Sequence, residues 1–329
     1  MTAVQAVVVG SGISGAACAQ VLADAHAWVM LVDRGWAPAG RMATRHVGGR
    51  AVDTGAGYFT VSDPAFRLVV DDWVARGLAR PWTSSFAVAG PDGITGRKDG
   101  PVRYAARGGL RSLVEDLLTR RDTVQVAQVE SVDSEDDRPR VDGRAVHAVA
   151  LAMPDAQAAR LVDPETLPAV AAAAERPAWD PQLSVAVRYP RRTWDDDLHG
   201  VFVNDDDVLA FVADDGSRRD DGAPVLVAHT TPELAARHLE EPRGVVEPVL
   251  AALQRVLGVP AGDADVQHVQ RWGMSRPSQP RQDVDGTHFW DAETRVGLCG
   301  DGWGPKPRVE QAFLSGRALG GAIAEQLLG

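Results

Sequence analysis

Four residues near the start of the chain have the types and the spacing to hold a diphosphate and a ribose. Gly10, Gly12 and Gly15 form a Gly-x-Gly-x-x-Gly run. The first glycine permits a tight turn out of a strand, the second lets the backbone approach a pyrophosphate with no Cβ in the way, and the third lets the next helix pack closely on a sheet. The phosphates would sit at that helix's N-terminus, where free N–H groups and the positive end of the dipole favour an anion. Asp33 follows roughly 20 residues later, where a carboxylate can accept from both hydroxyls of an adenosine ribose. The chemistry these residues point to is dinucleotide binding. Taken alone they also fit a cradle for NAD, or a glycine-rich turn in a sheet protein that binds nothing.

The elements that must position them are legible on either side. Ala6 to Val9 is an apolar strand leading into the cradle, and Ala16, Ala17, Ala19, Ala23 and Ala25 favour a helix from Ile13 to about Ala25. Ala27 to Asp33 reads as a buried parallel strand that ends in the acid. Pro64 to Gly77 carries Phe66, Val69, Val70 and Trp73 at helical spacing, and after Gly108-Gly109 a second helix is marked by Leu110, Leu113, Val114, Leu117 and Leu118. Strands are expected at Val124 to Ala127 and at Val146 to Met153, the latter stopped by Pro154, with a charged hairpin or loop over Glu130 to Arg140. At the C-terminal end a strand is expected from Arg295 to Cys299 and a helix from Val309 to Leu328. On that helix Ala312, Gly316 and Gly320 leave a stripe with almost no side chain, suited to very close contact with a sheet or a flat ligand, or simply to tight helix packing.

Between these pieces the character changes. Short strands at Leu183 to Tyr189, Val201 to Val203, Leu209 to Val212, Val225 to His229 and Val266 to Trp272 alternate with helices at Pro232 to His238 and Val245 to Leu257. Strands in series joined by polar turns indicate a mainly antiparallel sheet with helices on one side. The fold expected is therefore α/β: a discontinuous Rossmann-like nucleotide-binding domain from residues 1–63, 100–155 and 294–329, and an α+β substrate domain from 64–99 and 156–293. The aspartates between Asp195 and Asp221 lack the spacing of a calcium loop, so solvated turn tips are expected there and no metal is assigned.

Composition bounds the partners. A length of 329 residues with 45% hydrophobic content provides for two domains and a sizeable core, and a formal net charge of −11 argues against nucleic acid or an anionic membrane as the main partner. No apolar run reaches the length of about 18 residues that spans a bilayer, and the N-terminus passes into a strand the fold needs, so no cleaved signal is expected. The two cysteines, Cys18 and Cys299, form no CxxC pair or disulfide framework, which makes a reducing cytoplasm the simplest setting. Lys98 and Lys306 are the only lysines, so a catalytic lysine has two candidates.

Four segments, taken in order, resemble the renalase-like branch of the flavin amine oxidase superfamily. They are Gly10 to Gly15 with Asp33; Gly40-Arg41-Met42-Ala43-Thr44-Arg45 followed by Val52 to Thr60; Arg271-Trp272; and Gly300-Asp301-Gly302-Trp303 through Arg308 to Gly316. The resemblance spans the chain and implies FAD as resident cofactor. By that resemblance Gly10, Gly12 and Gly15 would hold the diphosphate and Asp33 the adenosine ribose, with Ile13, Ser14, Arg34 and Met42 as adjoining contacts. Gly40 and Arg41 would lie against the diphosphate and ribityl chain, the backbone near Val129 against adenine, and Gly300 and Asp301 at the ribityl chain. Val309 and Ala312 would open the helix aimed at the pyrimidine edge of the flavin. The implied substrate wall is Tyr58, Phe59, Arg271, Trp272 and Trp303. Strand alternation puts Trp272 with His268 and Gln270 on one face and Arg271 on the other, and Arg271 also fits a surface salt bridge. Two positions depart from the family pattern: Gly57 stands where a glutamine is expected, and Gln311 where a glycine is.

The implied reaction is hydride transfer from a reduced small molecule to flavin N5, most simply from an isomeric NAD(P)H, with oxygen as acceptor and hydrogen peroxide as product. No general base is needed for a dihydropyridine donor, which suits a chain with no evident catalytic acid or base. The alternatives are an FAD oxidoreductase for an amine or another small metabolite, and a flavin-binding redox protein without turnover. Amine oxidases of the superfamily commonly place a lysine beside flavin N5, and neither Lys98 nor Lys306 stands in such a strand. Oligomeric state is left open.

Overall fold

A computed structural model describes residues 5–118, 124–175, 178–279, 281 and 286–328. The chain forms two compact units, one of residues 1–40, 114–179 and 276–329, the other of 41–113 and 180–275.

In the first unit a six-stranded sheet runs in the order Phe289–Asp291, Val296–Cys299, Ala148–Ala152, Gln5–Val9, Trp28–Asp33, Val124–Val126. Every neighbouring pair is parallel except the edge strand Phe289–Asp291. Gln5–Val9 has the strand that follows it in sequence, Trp28–Asp33, on one side and the late-arriving Ala148–Ala152 on the other. Its C-terminal end is therefore the switch point at which such sheets open a ligand crevice. Ala148–Ala152 is buried at every position, as an inner parallel strand should be. The helix Ile13–Asp24 packs on Val309–Leu328, and the small-residue stripe is explained there. A Cβ on Gly316 would overlap the Ser14 carbonyl oxygen, and one on Gly320 would come within 2.9 Å of the Cys18 carbonyl oxygen. Backbone of another helix, not a flat ligand, requires those glycines.

The second unit is built on an eight-stranded sheet in the order Asp265–Pro277, Trp179–Arg188, Val225–Thr230, Leu209–Asp214, Gly200–Val203, Ala79–Gly90, Gly93–Ala106, Phe59–Thr60. From Trp179–Arg188 to Phe59–Thr60 the pairings are antiparallel except that Gly200–Val203 runs parallel to Ala79–Gly90. On one face Leu183, Val185, Val201, Val212 and Ala228 pack with Val249, Leu253 and Val256 of the amphipathic helix Val246–Leu257. That helix stops at Gly258, a left-handed residue with φ +69°.

The boundaries of the units differ from the expected ones, for reasons visible in the sheets. The strand Gly93–Ala106 pairs along its length with Ala79–Gly90, so a division at 99/100 would cut a hairpin. Phe289–Asp291 pairs with Val296–Cys299 and so belongs to the first sheet, and Ala158, Val162, Leu167, Val170 and Ala174 complete its core. Residues 41–63 group with the second unit. Among the described residues no helix is long and apolar enough to cross a membrane.

The helix contact gives a direct test. Gly316→Val is expected to destabilise the protein by about 1–3 kcal/mol through overpacking. Gly321→Ala on the same helix, where an added Cβ meets nothing within 4 Å, is expected to be neutral or to stabilise by about 0.5–1 kcal/mol. Thermal unfolding that ranks the two variants equally would refute the packing account.

Candidate functional site

In the first unit the chain leaves its first strand through Gly10, where φ is +106° and a Cβ would overlap the Ala152 carbonyl oxygen. Gly15 is reserved for glycine by the carbonyl of Gly10. Gly12 is different: a Cβ there would meet nothing within 4 Å. Close packing thus explains two of the glycines, and the middle one faces open space, where a phosphate can approach. Gly12 is also the N-cap of Ile13–Asp24, with no side-chain cap and no acid in the first turn, so no side chain competes for the helix N–H groups. This donor set fits a dinucleotide diphosphate. Ile13 and Ser14 are buried behind it.

Asp33 accepts from the Ser11 N–H at 2.6 Å and the Ser11 hydroxyl at 2.7 Å through one oxygen, and from the Gly35 N–H at 2.7 Å through the other. The carboxylate therefore braces the glycine loop as well as standing where a ribose is expected. Ala39 N–H donates to the Ser11 carbonyl at 2.9 Å, which folds Gly40 so near that a Cβ on it would lie 3.7 Å from the Gly12 Cα. Arg34 is exposed, and Val129 is buried in the chain beyond Val124–Val126, a strand shorter than expected. The turn before the last helix is held by that helix: Gly300 N–H donates to the Ser315 hydroxyl at 2.9 Å, with Asp301 buried beside it. Val309 is half-buried at the helix start and Ala312 is buried one turn on. Both thiols are buried; burial pushes Cys299 up to about 12 and raises Cys18 well above its usual value.

Trp303 needs correction as a wall residue. It is 1% exposed and belongs to the core of the first unit, with the Arg281 guanidinium 3.8 Å above its ring and Asp155 3.5 Å from that guanidinium.

In the second unit the residues from the Gly40-Arg41 block onward form a braced turn. Arg41 donates to the Ser275 carbonyl at 3.0 Å, and its own carbonyl accepts from Ala56 N–H at 2.8 Å. Arg45 is bonded to Gln270 and Trp272 Nε1 donates to the Thr54 carbonyl at 2.8 Å, so one face of Asp265–Pro277 holds this segment as alternation predicts. Met42 is buried. Arg271 is on the opposite face: half-exposed, it donates to the Leu239 carbonyl at 2.7 Å and pairs with Glu240 at 3.4 Å. It cannot line a wall with Trp272 and drops out of the candidate set.

Beneath this turn lies a buried ion network. Arg218, with Asp215 as its ion-pair partner, donates to the carbonyls of Gly57 and Asp53 at 3.0 Å each, and Arg219 pairs with Asp53 at 2.6 Å. Asp53 also accepts from Thr44 at 2.6 Å and from Leu110 N–H at 3.0 Å. Asp214 and Asp215 are therefore buried, in contrast to the solvated turn tips expected for the acidic stretch.

Tyr58, carried by the same turn, stands edge-on to Phe86 and Phe211 with ring centroids 5.2 Å and 5.9 Å away. Phe202 and Phe211 continue the row, and His229 closes it 5.8 Å from Phe211. Arg103 lies over Phe86 with its Cζ 4.0 Å from the ring centroid. The sheet thus has an apolar face packed on a helix and a second face of aromatic rings interrupted by His229 and Arg103. The His229 Nδ1 is bonded to Gln182 at 2.9 Å and Ser184 at 3.2 Å, while its buried Nε2 has no partner. Rings over a guanidinium supply about 0.5–2 kcal/mol, less than the several kcal/mol lost when an ion leaves water. Sequence reasoning did not single out Phe86, Arg103, Phe202, Phe211 and His229 as members of this face. The Gly57 departure has its counterpart here, since a Cβ on Gly57 would stand 3.0 Å from the Phe211 ring.

Comparison with known proteins agrees with this geometry. A family model described as "Flavin containing amine oxidoreductase" matches residues 73–319, and one described as "NAD(P)-binding Rossmann-like domain" matches residues 8–73. Among solved structures, cyclohexylamine oxidase from Brevibacterium oxydans is similar at 15% identity and a TM-score of 0.75, with 99% of each chain covered. A protein assigned as a protoporphyrinogen oxidase from Exiguobacterium sp. 255-15 is similar at 14% identity and a TM-score of 0.74, again over 99% of each chain. Putrescine oxidase bound to putrescine is similar at 14% identity and a TM-score of 0.67, over 98% of this chain and 99% of that one. At these identities the likeness speaks for the fold.

Burial, and then the charge of Arg218, push His229 down to about 3 from 6.5. Below pH 6.5 the unfolded chain takes up this proton and the folded chain does not, so stability falls with falling pH by about 1.4 kcal/mol per pH unit for such a group. His199 and His288 are shifted downward by burial too and add to the slope. His229→Gln is expected to flatten the loss of stability between about pH 6 and pH 4; unfolding curves with unchanged slope would mean that His229 titrates normally in the folded chain.

Proposed function

Because the chain belongs to the flavin containing amine oxidoreductase family, we propose that this FAD-dependent oxidoreductase oxidises a reduced pyridine nucleotide, such as an isomeric NAD(P)H, with oxygen as final acceptor. The overall reaction balances as dihydropyridine plus O2 plus a proton giving pyridinium plus hydrogen peroxide. Bound FAD supplies the two-electron acceptor for this reaction.

The chain's own residues hold and shield. Gly10, Gly12 and Gly15 with the uncapped helix N-terminus receive the diphosphate, Asp33 receives the ribose, and Gly40 closes over the cradle. Tyr58, Phe202, Phe211 and Trp272 give flat surfaces on which a nicotinamide ring can stack.

The observation that carries the choice of donor is the character of the histidines at the aromatic face: among the described residues these include His229 beside Phe211 and His199 beside Trp82, and burial disfavours the protonated form of both. Burial, and then the charge of Arg218, push His229 down to about 3, which makes it a poor base near neutrality. Both lysines, Lys98 and Lys306, are exposed. A donor that surrenders a hydride without prior proton loss suits such a wall. A second reading is an amine substrate, favoured by the printed names of cyclohexylamine oxidase and putrescine oxidase.

Anaerobic mixing of the FAD-loaded protein with a donor panel separates the two. Rapid bleaching by isomeric NAD(P)H preparations, with peroxide released once air is admitted, is the expected outcome. Bleaching by amines alone would overturn the nucleotide reading, and a loaded protein that no donor bleaches would favour a redox-binding role without turnover.

A further inference from the structure

We infer that Arg103 anchors an oxyanion, a carboxylate or phosphate, borne on a flat substrate that lies on the aromatic face of the second unit. The inference rests on the reading of that face as the substrate wall.

Arg103 is 5% exposed, yet among the described residues it has no ion pair and no hydrogen bond from its guanidinium, and its Nη1 is fully enclosed without an acceptor. Two other buried arginines of this unit are handled differently: Arg218 and Arg219 are neutralised by Asp215 and Asp53. Around Arg103 the neighbours are rings, with its Cζ 4.0 Å from the centroid of Phe86, 5.7 Å from Tyr58 and 5.9 Å from Phe202. Rings orient a guanidinium and leave its N–H edge unsatisfied. The edge is also approachable. Nη2 lies where a Cβ on the exposed Gly100 would come within 3.2 Å of it, so the missing side chain leaves the guanidinium uncovered at that point. Gly100 lies where the pairing of the two long strands slips between Thr83–Arg103 and Ser85–Asp99, a bulge that turns Arg103 out of a regular register. An orphaned, fork-shaped donor bracketed by aromatic surfaces is the pattern that recognises an oxyanion on a flat body. A cationic substrate would be repelled by the same group.

The test uses calorimetric titration of the FAD-loaded protein with three probes of one shape: benzoate, phenyl phosphate and uncharged benzamide. At least one anion is expected to bind about tenfold or more tightly than benzamide, and which anion does so identifies the oxyanion class. Arg103→Gln is expected to reduce that preference to within about twofold, and Arg103→Lys to keep part of it. Benzamide binding as well as both anions, failure of both anions to bind, or a preference that survives in Arg103→Gln would each overturn the assignment. The comparison in the parent protein needs no variant, so a variant that fails to fold does not protect the inference. Binding is read without turnover, so bleaching by amines alone would remove the nucleotide reading while leaving the titration result to stand or fall by itself.

Discussion

Arg218 donates from one buried guanidinium to the carbonyls of Gly57 and Asp53, which flank the turn that carries Tyr58. The placement of that ring, and of the aromatic row it joins, follows from a charge held in the interior. Such a charge is tolerable only beside an ionised partner. Burial by itself would raise the pKa of Asp215, but Arg218, Arg219 and Arg50 hold it below its ordinary value. The planar fork matters as much as the charge: Arg218 engages Asp215 from one edge and two backbone oxygens from another, which a lysine ammonium on a single stem could not reproduce. The scarcity of lysine in the chain is thus compatible with its internal architecture, whatever its origin.

The nucleotide half of the molecule was legible because local rules decide it. The glycine run, the alanine-rich helix and the acid closing the second strand each carry their own signal, and the apolar strands expected around them all joined one sheet. The substrate half was legible as a series of strands and helices but not as a wall. Simple alternation would put Leu209 and Phe211 on one face, whereas a register shift between them places Leu209 in the apolar core and Phe211 among the rings. Arg103 is hidden in the same way by the irregular pairing of the two long strands. Bulges arise from pairing partners distant in sequence, so spacing within one strand cannot announce them. The buried acids at Asp214 and Asp215 were obscured by the acidic run around them, because only the folded chain brings Arg192 to the first and Arg50, Arg218 and Arg219 to the second.

Gly57 and Phe211 illustrate how a departure from a family pattern can be compensated. With no side chain at Gly57 the Phe211 ring comes close to the turn, and Tyr58 stands edge-on to it. This arrangement keeps the face apolar around its two polar interruptions. The buried nitrogens without a hydrogen-bond partner on this face, Arg103 Nη1 and His229 Nε2, are the points at which it departs from a plain apolar surface.

The strand order of the first unit has a consequence for synthesis. Ala148–Ala152, the inner neighbour of the cradle strand, is flanked on its other side by Val296–Cys299, and the cradle helix rests on Val309–Leu328. A ribosome therefore emits the glycine cradle long before the helix that supports it. Until the final helix leaves the exit tunnel, the nascent cradle keeps an open sheet edge and an uncovered alanine-rich helix. The cradle is thus completed by a segment remote from it in sequence, and its packing waits on the synthesis of nearly three hundred intervening residues.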